Sequence, residues 1–123
     1  MEFTPEFFEK RYSYDIDIFR HRLHVVVTTN VLASVNKHIR NSTRTTPIRA
    51  IHIVLASQGN SMIFIPFDVT PGEISHECMH CVQHIVEEIG ASYKEDEFIC
   101  YILGHLVDLV HNSLEKAKKK LDK

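Results

Sequence analysis

The sequence predicts an α+β fold: a small mixed sheet packed on one amphipathic helix and on a second helix that follows it. Two observations carry this. Apolar and polar residues alternate with period two through 14–18 and 23–27, and β-rich runs recur at 49–56 and 61–67. Two later stretches, 70–90 and 95–111, repeat their apolar residues every three or four positions instead, as helices with one buried face do.

Taken in order, Tyr14, Ile16 and Ile18 alternate with Asp15 and Asp17, and Leu23, Val25 and Val27 continue the pattern. They form one long bent strand or two short ones. Thr29 or Asn30 can cap a helix running to about Ile39, with Val31, Leu32, Val35 and Ile39 facing inward. After a turn-rich segment at 41–47, the two β-rich runs read as a hairpin closed by Ser57-Gln58-Gly59-Asn60. Thr70-Pro71-Gly72-Glu73 then fits a capping box, with proline at the first helical position. Ile74, Cys78, Cys81, Val82, Ile85, Val86 and Ile89 make a continuous apolar stripe, and Gly90 stands where a left-handed cap ends the helix. The last helix carries Phe98, Ile99, Ile102, Leu103, Leu106, Val107, Leu109 and Val110 on a wide arc. The basic run 116–120 suits a helix C-terminus and reads as a solvated end.

The chain has 123 residues, enough for a single domain over 1–123 with one core. Composition is 44% hydrophobic and 24% charged, with formal net charge −2, which gives no reason to expect nucleic acid or an acidic membrane surface as partner. No apolar run approaches membrane-spanning length, and the acidic, proline-broken start is unlike a secretory signal. Three cysteines, an odd number, suggest reduced thiols and a cytoplasmic location. Cys78 and Cys81 have C-x-x-C spacing but share the apolar stripe, which favours core packing over a separate zinc site.

The chemistry is concentrated in His76-Glu77-Cys78-Met79-His80, an H-E-x-x-H sequence within the first of the two late helices. Positions i and i+4 lie one turn apart on one face, so both imidazoles can reach one metal ion. The pair projects almost opposite the centre of the apolar stripe, over an open surface. The alternative is two unrelated surface histidines. Glu77, flanking that face, can act as a general base without being a ligand. A zinc site that does chemistry has three protein ligands. His84 lies about 12 Å along the axis from His76, too far to share its ion. Glu97 is the better third ligand, because Glu97, Tyr101, Gly104 and Asp108 line the narrow face left by the apolar arc. Gly104 would let the two helices approach closely. Asp96 is the substitute, and an acidic first turn also simply suits the helix dipole.

These residues resemble the zincin metallopeptidases whose third ligand is a glutamate. The resemblance implies a minimal zincin-like domain, Zn²⁺ held by His76, His80 and Glu97, and Glu77 as general base. It also implies a protein or peptide substrate bound along one strand of the hairpin. Larger members often place an aspartate four residues after the ligand glutamate, and here Tyr101 stands there. Residues 75–106 also resemble small zincin-like proteins of tailed bacteriophages, which implies a host cytoplasm. Tyr101, His105 and His111 are available donors for an oxyanion, with His105 at the margin of the apolar arc. Three functions follow as expectations: a zinc peptidase acting on a specific protein, a zinc-binding interaction module, and a zinc hydrolase of a non-peptide amide.

Overall fold

The computed structural model describes residues 7–16, 19–39, 42–55, 59–90 and 96–121. Among the described residues four strands and three helices follow one another as β1 (Glu9–Ile16), β2 (His21–Thr28), α1 (Val31–His38), β3 (Ile51–Val54), β4 (Asn60–Pro66), α2 (Pro71–Ile89) and α3 (Asp96–Leu121). The α+β class is thus observed. The strands form one mixed sheet in the order β1-β2-β4-β3. β1 and β2 are antiparallel, as are β3 and β4, while β2 and β4 run parallel at its centre.

Residues 9–28 therefore make two strands rather than one bent strand. The first begins earlier than its alternation suggests, at Glu9, and Ile18 falls outside the described residues. The hairpin is present, with β3 shorter than the run 49–56; residues 56–58 of its loop lie outside the described residues. Arg49 lies outside the strand, and its guanidinium bonds Asp68 and Glu73. At the other end of the hairpin Gly59 adopts φ 76°, and a Cβ there would come within 2.5 Å of the Arg20 carbonyl oxygen. Only glycine fits that close approach.

The sheet is covered on both faces, so its central strands are apolar on both sides. Leu23, Val25, Val27, Ile63 and Ile65 face α2 and α3, while Val26, Met62 and Phe64 face α1. Near-continuous hydrophobic runs are what parallel neighbours buried on two sides require. Asn30 caps α1 by accepting the Ala33 N–H at 3.0 Å. Val31, Ser34 and Val35 are its buried residues, and the serine takes an inward position by bonding Glu9 and Thr28.

α2 is built as its sequence signals. Thr70 Oγ1 accepts the Glu73 N–H at 3.1 Å, Glu73 returns a bond to the Thr70 N–H at 3.0 Å, and Gly90 closes the helix at φ 71°. α3 runs unbroken for 26 residues, past the apolar arc and through the basic run. Ile102, Leu106 and Val110 are buried against the core. Among the described residues no helix is long and apolar enough to cross a membrane.

Candidate metal centre

α2 presents His76 and His80 on its outer side, with Nε2 atoms 3.2 Å apart. Two nitrogens bound tetrahedrally to one zinc at about 2.05 Å would be separated by about 3.3 Å. The pair therefore stands at ligand spacing with little adjustment, and two imidazoles are a donor set that suits zinc. The His76 side chain is 68% exposed, so an ion has free access.

Glu77 completes the group: ligand atoms of His76, Glu77 and His80 all lie within 4.8 Å of one another. Its carboxylate is 3.9 Å from His76 Nε2. Although it flanks an exposed pair, Glu77 is only 8% exposed, because α2 sets it against the edge strand β3. Burial pushes its carboxyl up from the ordinary value; the two imidazoles and the His52 backbone N–H pull the other way. A carboxyl raised by burial in a cleft is what general-base work at neutral pH calls for.

Two clefts meet at Glu77. One, of about 450 Å³, is bounded by Arg49, Thr70, Glu73 and His76; the other, of about 340 Å³, by Ile51, His52, His80 and His84. Together they run along the boundary between α2 and β3. β3 is an edge strand, with no further strand paired to its far side among the described residues.

Glu97 is not brought to this group. It is exposed in the first turn of α3, outside the ligand atoms that converge at His76 and His80. The reason is the phase of α3. Tyr101 (76% exposed), Gly104 and Asp108 face solvent with it, and nothing lies within 4 Å of a Cβ built on Gly104. Close helix approach at Gly104 is therefore corrected: the narrow polar face of α3 is a solvent face. Asp96 is equally exposed. Tyr101, His105 and His111 are all exposed on α3 and bound neither cleft. The cation at the cleft is Arg49 instead. It grips Glu73 through Nε and Nη2 at 3.1 and 3.0 Å and holds that carboxyl down to about 2. No spacing rule connects Arg49 to the motif, because their proximity is made by the sheet.

Cys78 and Cys81 are fully buried core residues, and burial pushes their thiols up to about 12 and 11. They are unsuited to nucleophilic or ligand roles. Cys100 is exposed.

Comparison with known proteins adds nothing to this geometry: no family model, no curated protein and no solved structure matches the chain.

Proposed function

We propose that the chain is a zinc-dependent hydrolase of the zincin type, acting on a peptide bond of a protein partner in the cytoplasm. The observation that carries this reading is the His76–His80 nitrogen pair at 3.2 Å beside a buried glutamate. His76 and His80 would hold the ion. When bound, zinc would polarise a carbonyl and acidify water. The chain's own part is proton transfer and positioning. Glu77 takes the proton of the attacking water as the oxygen–carbon bond forms, and delivers it to the departing nitrogen as the carbon–nitrogen bond breaks. An extended peptide paired on the outer edge of β3 would lie along both clefts, with its backbone passing Glu77.

One observation favours a second reading, a zinc-binding interaction module with little turnover. The histidine pair is open to solvent and Glu97 stands apart from it. A third protein ligand is what ordinarily makes a catalytic site. Zinc analysis of wild type and His80→Ala, joined to a mass-spectrometric product screen on wild type and Glu77→Gln, tests both readings. Hydrolysis expected in wild type and absent from Glu77→Gln would support the enzyme. Equal partner binding by both proteins with no cleavage would support the module, and zinc content unchanged in His80→Ala would remove the site altogether.

A further inference from the structure

The one-per-turn series that begins at His76 and His80 continues to His84 and Glu88. An α-helix has 3.6 residues per turn, so each four-residue step rotates the side chain by about 40°. Across the series the direction swings by about 120°. The first pair therefore points outward, whereas His84 and Glu88, each with a side chain 17% exposed, turn in toward the sheet. There they meet His21, the first residue of β2, which is 2% exposed.

We propose that His21, His84 and Glu88 form a second site for a divalent transition-metal ion of the zinc class. It is separate from the His76–His80 pair and clamps the C-terminal half of α2 to the sheet. The ligand atoms of the three residues lie within 4.8 Å of one another. His21 Nδ1 is 3.6 Å from Glu88 Oε2, and His84 Nε2 is 2.7 Å from Glu88 Oε1. Ligands about 2.0–2.2 Å from one tetrahedral ion stand about 3.3–3.6 Å apart, a spacing these two distances bracket. The partly exposed His84 and Glu88 side chains have room to adjust to it.

Two further observations point to a ligand. His21 Nδ1 and His84 Nε2 are both buried, and both are turned toward the single carboxylate of Glu88. Two buried imidazole nitrogens thus converge on one carboxylate, the donor set a zinc-class ion takes. Behind them the other nitrogen of His21, Nε2, is 2.8 Å from the buried Ser61 hydroxyl. An Nε2–H donated to that hydroxyl would fix the tautomer with the Nδ1 lone pair facing Glu88, the outer-shell arrangement that orients metal-binding histidines. Glu88 Oε1 is itself steadied by the Gly59 N–H at 3.1 Å.

Two imidazoles with one carboxylate select zinc, cobalt or nickel over calcium or magnesium, which prefer all-oxygen shells. A cleft of about 410 Å³ bounded by Phe19, Arg20, Gly59, Glu88 and Ile89 reaches the Glu88 carboxylate. His76 and His84 are about 12 Å apart along α2, so one ion cannot serve both groups.

The test counts ions in the full chain. Metal-stripped wild type, titrated with Zn²⁺ against a chromophoric chelator, should bind two equivalents. His76→Ala/His80→Ala should bind one, with a thermal midpoint that rises on adding zinc. Adding Glu88→Gln to that double variant should weaken the remaining binding about 100-fold or more and remove the thermal shift. Should the double variant not fold, Glu88→Gln alone serves, and its stoichiometry should fall from two to one. A folded His76→Ala/His80→Ala protein that binds no zinc overturns the proposal. So does a Glu88→Gln protein with the wild-type stoichiometry and affinities. Neither result bears on the His76–His80 site, which is read separately as the equivalent that survives Glu88→Gln.

Discussion

Replacing Glu77 by glutamine should raise stability while it abolishes turnover. Burial against β3 pushes the Glu77 carboxyl above its ordinary 4.5, although nearby imidazoles and a backbone N–H oppose this. An acid raised by folding contributes its full stabilisation below about pH 4.5, where both states are protonated, and loses it as pH rises through the folded value. At pH 8 the metal-free protein therefore holds a desolvated charge at Glu77. Glutamine keeps the size and the acceptor for the His52 N–H but removes the charge. The gain should be on the order of 0.5–1 kcal/mol, in the range of single substitutions that relieve a functional site. Unfolding entropy of about 2.1 cal/mol/K per residue makes 1 kcal/mol worth about 4 °C in a chain of 123 residues, so the midpoint should rise by about 2–4 °C. Loss of the base should meanwhile raise the reaction barrier by about 3–5 kcal/mol, or 10²- to 10⁴-fold in rate. The assays are thermal unfolding in chelator at pH 8 and the rate of product formation with zinc. A midpoint equal to or below wild type would mean that the carboxylate is paired and structural, which refutes its placement as a free base.

Thr70→Ala removes the acceptor for the Glu73 N–H and should lower stability by about 1 kcal/mol, or about 4 °C, whereas Thr70→Gly should lose only a few tenths. Arg49 and the capping bond hold the Glu73 carboxyl at about 2 against an ordinary 4.5. Its contribution is therefore present above pH 4.5 and lost as pH falls toward 2, and Glu73→Gln should flatten acid unfolding across that interval. Glu97→Ala should leave zinc affinity within about twofold of wild type, since Glu97 sits outside the converging ligand atoms. A tenfold loss in a chelator competition would return it to the ligand set.

What the sequence discloses depends on how local the cause is. α2 is legible nearly to the residue because its start, stripe and stop are all local: a capping box, apolar residues every three or four positions, and a glycine at positive φ. The parallel pairing of β2 with β4 is not legible, since alternation says which face a residue takes and nothing about which strand lies beside it. The start of β1 is hidden for a related reason. Glu9, Lys10 and Arg11 lie on an edge strand, and Glu9 is held by Ser34, Lys37 and His38 from α1, partners 25 to 29 residues away.

The same distinction separates the two halves of the candidate site. His76, Glu77 and His80 converge because one turn of one helix makes them converge, so spacing alone suffices. Glu97 is suggested only by a polar face on α3, and a polar face is as well explained by water as by a neighbouring helix. Exposure of Tyr101, Gly104 and Asp108 decides for water. His84 shows the converse. Spacing excludes it from the first ion, but only the fold reveals that the continuing rotation of α2 brings it to His21, 63 positions earlier in the chain. A histidine set aside by helical geometry alone is thus buried beside two other potential ligands, and the drift of about 40° per step that excludes it from one group carries it into the other.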